Sequence, residues 1–255
     1  ILKDAAATSI YGSRGANGVI IVTTKRGSEG RNDVTVNAYV GVQQIAKRLE
    51  MLNAREYAVM LNQQDVLSNQ EPSIENPSVY GKGTDWQDEI LRLAFMQNYQ
   101  VAASGGNKDG RYYLSLSMFD QDGVIKNSGI RRYQTRLNLD RKMRHNINIG
   151  ANFQFSYTQR EPNLVSLGGF DYQSSALATP PTMNIYNEDG SYASDSPSRV
   201  VSNDIDNVVA QLNERKKQEK AASIYAGIFA EWEAIKDLKF KTFLGLNAGT
   251  NKTTE

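Results

Sequence analysis

Apolar and polar residues alternate with a period of two through most of the chain, the signature of strands with one apolar and one polar face. Val34, Val36, Ala38, Val40 and Val42 oppose Thr35, Asn37, Tyr39, Gly41 and Gln43. Further segments run 98–104, 111–118, 132–140, 146–157, 224–233 and 238–247, and the fifth is the clearest. There Ile147, Ile149, Ala151, Phe153, Phe155 and Tyr157 face away from Asn148, Gly150, Asn152, Gln154 and Ser156. Seven strands are predicted, and the chain is all-β.

The connections between them alternate in length. Short turns are predicted at 105–110, 141–144 and 235–237, and long segments at 44–96 and 158–221, with a medium one at 120–131. Short turns therefore gather at one end of an antiparallel meander and long loops at the other, as in outer-membrane barrels. In a soluble sandwich the same alternation would point the apolar faces at a core. The aromatic residues favour the barrel: Tyr99, Tyr133 and Tyr157 lie toward the long-loop end, Tyr112, Trp232 and Phe240 toward the short-turn end, all on the apolar face. Two aromatic belts on an apolar face suit a bilayer with two interfaces.

Asn53 with Glu56, and Thr84 with Gln87, have the spacing of helix-capping pairs and predict two short helices in the first long loop. In the second, Asp189-Gly190 between Ile185-Tyr186 and Tyr192 predicts a small hairpin.

Composition removes several kinds of function. A mean hydropathy of -0.52 and the absence of a run near ~18 apolar residues exclude a helical membrane protein. Lys and Arg (29) balance Asp and Glu (28), which gives no reason to expect nucleic acid as a partner. With no Cys and a single His, His145, thiolate chemistry and multi-histidine metal sites are excluded. Glu231 and Glu233 are expected on the polar wall of a barrel, and Asp120 with Asp122 and Gly123 in a turn. Arg131, Arg132, Arg136, Arg141, Lys142 and Arg144 read as a basic cluster of solvated wall and turn. No catalytic residue, cofactor or metal site is expected.

The first residues differ from the rest. In LKDAAATSIYGSRGANGVIIVTTKRG, Asp4 precedes Tyr11-Gly12, Arg14-Gly15 and Asn17-Gly18, and an apolar strand follows at 19–24. The glycine spacing G-x-x-G-x-x-G lacks the helix and Lys-Ser/Thr of a phosphate cradle. The string resembles the end of the plug domain of TonB-dependent outer-membrane receptors, in the SusC/RagA branch. Residues 104–140 resemble the first barrel hairpins of that branch, and NIYNEDGSY resembles a recurrent loop segment after them.

The resemblance implies a plug end at 1–32 and the first part of a transmembrane barrel at 33–255, with extracellular loops at 44–96 and 158–221. About seven strands of an expected 22 would be present. It further implies import of a large nutrient, a glycan or an oligopeptide, through the outer membrane of a Gram-negative bacterium. The expected partners are a SusD-like lipoprotein, TonB with ExbB/ExbD, and outer-membrane lipid; no enzymatic activity is expected. Trp86, Phe170, Tyr172, Tyr186 and Tyr192 are the candidate loop contacts to substrate or lid. A siderophore or cobalamin receptor, and a soluble all-β carbohydrate-binding module, are the alternatives.

Overall fold

A computed structural model describes residues 12, 18–20, 25–143, 146–162, 172–193 and 207–254. Among these, seven strands form a single antiparallel sheet in chain order. They are β1 (Asn32–Gln43), β2 (Ala94–Asn107), β3 (Gly110–Asp122), β4 (Gly129–Met143), β5 (Ile147–Glu161), β6 (Gln218–Ile235) and β7 (Leu238–Thr254). Every strand is longer than its alternation alone indicates, because the ladder continues where the apolar side chains stop.

The first hairpin turns at Lys108 and Asp109 only, where the Asn107 side chain accepts hydrogen bonds from both Asp109 N and Gly110 N. Gly105 and Gly106 are therefore paired strand residues, opposite Tyr112 and Arg111, and not part of the turn. At the β6–β7 turn Asp237 takes a positive φ of 69°, a conformation that short polar side chains tolerate.

The register joins the apolar faces into one surface. Val34, Ala103, Leu114, Leu137, Phe153, Ala226 and Leu246 form one continuous row across all seven strands. The next row but one carries Ala38, Tyr99, Met118, Tyr133, Tyr157 and Ala222, which brings three of the predicted aromatic residues onto one level, Tyr133 directly beside Tyr157. Trp232 pairs with Phe240 near the opposite end, ring centroids 6.1 Å apart. No second sheet covers this surface among the described residues, and Val34 and Leu244 remain 74% and 75% exposed.

The margins of the apolar surface slope across the sheet. On β1 it runs from Val34 to Val42, on β7 from Leu238 to Ala248. The ladder carries Val34 to Leu246 and Val40 to Lys252, so a level that is apolar on β1 is charged on β7. From β1 to β7 the upper margin falls by about three rows and the lower by about four, each row ~6.8 Å along the strand. A fall of roughly 24 Å over six strand spacings of ~4.8 Å corresponds to strands inclined about 40° to a level apolar band. Outer-membrane barrels tilt their strands by ~35–45°. On β5, the rise from Ile147 to Tyr157 at that tilt is about 26 Å, the height of a bilayer's apolar band.

The second long connection also contains helices that its breakers obscure. α1 (Ala54–Leu67) and α2 (Trp86–Ile90) lie in the first, α3 (Tyr172–Ala178) and α4 (Val208–Glu214) in the second. Asn53 and Glu56 form the reciprocal capping box at the start of α1. At α2 the capping residue is Asp85, whose carboxylate accepts from Gln87 N and Asp88 N. Thr84 instead donates its hydroxyl to the Met183 carbonyl, 2.7 Å away, in the other loop. No described helix is long and apolar enough to cross a membrane, which says nothing of crossing by strands.

The slope of the band places Phe153 near its middle on β5 and Asn152 on the opposite face. In the full-length protein, Phe153→Arg should lower folding stability in a bilayer by about 2–4 kcal/mol, while Asn152→Arg should leave it nearly unchanged. Urea titration of protein folded into vesicles measures both. Equal losses would remove the assignment of this face to lipid.

Candidate functional site

The polar face carries the first candidate site, a seat for the segment that precedes β1. Residues 25–31 lie along the short-turn end of β2, β3 and β4. Asn138, buried on β4, donates from its side-chain amide to the Lys25 carbonyl at 2.7 Å. Arg26 bonds both carboxylate oxygens of Asp140 at 3.1 Å, and Arg111 reaches Asp140 at 3.4 Å. The Asp140 side chain is only 16% exposed, so water screens this shared carboxylate less than a surface pair.

Beyond it, Gly30 N donates to Gly106 O and Gly106 N donates to Arg31 O, which carries the segment straight into the β1–β2 ladder. Gly27 is buried at this crossing, and a Cβ there would overlap the carbonyl oxygens of Gly105 and Tyr112. Only a residue without a side chain lets the two backbones approach so closely.

The same end of the polar face holds aromatic rings that the alternation does not anticipate. Phe229 lies over Gly150 and Phe243 over Gly227, where a Cβ would meet the rings. Glycines in a strand interior make room in this way. Arg26 sits 5.8 Å and Lys241 4.9 Å from the Phe229 ring centre, within cation–π range. Farther along β6, Glu231 and Glu233 both lie within 3.9 Å of Lys239, as paired charges on a polar wall. A cavity of about 350 Å³ opens beside the seat, lined by Arg26, Arg111, Asp140, Lys142, Phe229 and Lys241 among others.

The basic residues predicted as one cluster separate by face. Arg132 and Arg136 are on the polar face; Arg132 lies 5.4 Å from the Phe119 ring, and Arg136 donates to Gln154 at 2.9 Å. Arg131 and Arg141 point the other way, because neighbouring strand residues alternate. Arg131 is satisfied by Asp120 at 3.0 Å, and Asp122 by Arg92 at 3.4 Å. Arg144 and His145 lie outside the described residues.

The second candidate site is the layer formed by the long loops. Trp86, Ile90, Ile125, Tyr172, Met183, Val208 and Leu212 pack into one apolar cluster drawn from both long loops and the β3–β4 turn. Polar side chains close it: the Trp86 indole donates to Pro180 O at 2.9 Å, Asn207 to Ile185 O at 2.7 Å, and Asn127 to Leu212 O at 2.9 Å. Burial pushes the Tyr172 phenol up from its ordinary pKa. Trp86 and Tyr172 are each 3% exposed and sit inside this cluster.

Tyr186 and Tyr192 are different. They face each other across the predicted small hairpin, rings stacked with centroids 5.2 Å apart, and Tyr186 is 51% exposed. The hairpin turns at Gly190 (φ 84°), and the hydroxyl and amide of Ser191 hold the Asp189 carboxyl below its usual range. Phe170 lies outside the described residues. Of the amino-terminal motif, Gly12 and Gly18 have positive φ of 64° and 95°, while Asp4, Tyr11, Arg14, Gly15 and Asn17 lie outside the described residues. The α3 and α4 segments, and the seat for residues 25–31, have no signal of their own in the alternation; only Gly27 beside Arg26 marks the seat.

An open antiparallel sheet with one level apolar band, aromatic residues toward its margins and a segment seated on its polar side is part of the wall of a transmembrane barrel. No family model matches the chain. It is 35% identical to TonB-dependent receptor P3 of Formosa agariphila over 97% of its own length, and 35% identical to TonB-dependent receptor SusC of Bacteroides thetaiotaomicron over 75%. It covers 24% and 18% of those two proteins, so it spans about a fifth to a quarter of the curated relatives it matches. A solved structure of the RagAB peptide importer in its closed-closed state superimposes with a TM-score of 0.77 over 98% of this chain and 32% of that one. The two share 24% identity, and the likeness shows the fold. The chain belongs to the TonB-dependent receptor family, in its SusC/RagA-like branch. Its relatives are named as receptors and an importer, not as enzymes.

The seat depends on Asp140 and Gly27. In the folded full-length protein, Asp140→Ala should make trypsin cleavage after Arg26 or Arg31 faster, and Gly27→Val should do so more strongly. Two charge-assisted hydrogen bonds of partly exposed groups correspond to about 1–2 kcal/mol. Cleavage at an unchanged rate in both variants would show that residues 25–31 are held by something else.

Proposed function

We propose that the protein to which this stretch belongs imports a large nutrient, a glycan or an oligopeptide, through the outer membrane at the expense of TonB. The observation that carries this reading is the level apolar band on strands inclined about 40°, with a polar face that holds the segment before β1. Family membership supports it.

In this reading residues 1–32 are the end of the plug and residues 33–255 the first part of the barrel. The loops at 44–96 and 158–221 face the outside, where a SusD-like lipoprotein covers them. TonB with ExbB/ExbD pulls on the plug from the periplasm, and the protein does no covalent chemistry. Force changes the plug's fit in the lumen; the wall's backbone bonds are closed and do not rearrange.

Of the loop aromatics, Tyr186 and Tyr192 are the ones positioned to touch substrate or lid. Their stacked rings are preformed and partly exposed. Trp86 and Tyr172 act indirectly, since they hold the two loops together from inside.

Topology is tested with epitope tags. A tag inserted at Asn76 should be stained by antibody on intact cells, and one at Lys108 only after permeabilisation. Staining of Lys108 on intact cells would invert the topology. Function is tested by growth of a strain lacking the receptor on defined glycans and oligopeptides as sole source. Loss on one class, reproduced by loss of TonB, is expected; unaffected growth on both would refute nutrient import.

A further inference from the structure

We propose that Lys220 and Lys252 form a binding site for the phosphate of an outer-leaflet lipid headgroup on the lipid-facing side of the wall. The inference rests on the membrane reading above. Lys220 on β6 and Lys252 on β7 are direct partners in the ladder. Both are exposed. Like charges placed directly opposite each other repel, and such a pair is destabilising unless an anion lies between them.

Both lysines have the parity of the apolar face, with Ile224, Ala226 and Ile228 on β6 and Leu244, Leu246 and Ala248 on β7. They stand beyond its upper margin. From Ile224 to Lys220, and from Ala248 to Lys252, the strand rises about 10 Å at ~40° of tilt. That carries the two backbones to the outer edge of the headgroup layer, ~5–8 Å thick on each side, and the long lysine side chains reach back down into it. Tyr157 is one row below, next to Ala222, at the level where ring hydroxyls meet the interface.

The surroundings suit an anion. Along the same row Gln159 adjoins Lys220, and Thr250 and Thr254 flank Lys252 on the same side of β7. These supply neutral hydrogen-bond donors. The nearest carboxylates of this side are Glu161, which accepts from the neutral Gln218 amide at 3.3 Å, and Asp120, which holds Arg131 at 3.0 Å; among the described residues neither forms an ion pair with Lys220 or Lys252. Glu219 has the opposite parity. Two ammonium groups without a carboxylate between them, at headgroup depth, fit a phosphate monoester, whose charge no headgroup cation offsets. A lipid is favoured over free phosphate because the acyl chains would lie on the apolar rows directly below.

The test uses the full-length receptor in detergent, with short-chain phosphatidic acid, phosphatidylcholine and inorganic phosphate as probes. Binding of phosphatidic acid should weaken about fivefold in Lys220→Gln or Lys252→Gln, the attraction of one surface lysine for an anionic headgroup, and roughly thirtyfold in the double variant. Phosphatidylcholine binding, and the control Lys108→Gln at the short-turn end, should not change. Unchanged affinity for phosphatidic acid in the double variant would overturn the proposal. So would inorganic phosphate binding as tightly as the lipid with the same dependence on the two lysines, since the ligand would then be the free anion. Failure of the membrane reading itself appears separately, as tolerance of Phe153→Arg.

Discussion

The structure depends on the hydrogen-bonded register between neighbouring strands. In hydrocarbon every backbone donor and acceptor must find a partner within the protein, and a sheet provides this only along its ladder. A one-residue slip would keep the bonds but exchange the faces. The seven strands pair without such a slip, and the one irregularity, between Glu233 and Ile235, lies beside the last short turn, beyond Trp232. The apolar row from Val34 to Leu246 and the charged level at Lys220 and Lys252 both follow from that single register.

Polar and apolar faces then do different work. Toward lipid the side chains need only be apolar and of ordinary size. The opposite face has to receive another part of the chain, and there the demands are specific. Gly27 crosses the sheet where any side chain would collide, Asn138 meets a backbone carbonyl, and Asp140 is shared by Arg26 and Arg111. The rings of Phe229 and Phe243 lie over glycines; Phe229 is further covered by the cations of Arg26 and Lys241, while Phe243 stays 63% exposed.

At the long-loop end, burial comes from the loops and not from the sheet. Two connections far apart in sequence share one apolar cluster, fastened by Thr84 to Met183 and by Trp86 to Pro180. A loop layer built this way presents a shaped surface, with the Tyr186 ring outward, Tyr192 between it and the cluster, and Trp86 and Tyr172 inward.

Period-two alternation is a local property, so the sequence by itself determined the seven strands, their two faces, the ends where long and short connections gather, and the capping box at Asn53. The motif around Tyr11 and Gly12 pointed to the family for the same reason: it is a contiguous string. What joins residues far apart was decided only by the tertiary structure. Cross-strand register sets the slope of the apolar band, and no single strand contains it. Asp85 replaced Thr84 as the cap because the Thr84 hydroxyl is drawn to Met183 in another loop. The basic cluster divided because side chains of adjacent strand residues leave on opposite sides. Trp86 and Tyr172 turned inward because side chains from both long loops close over them together.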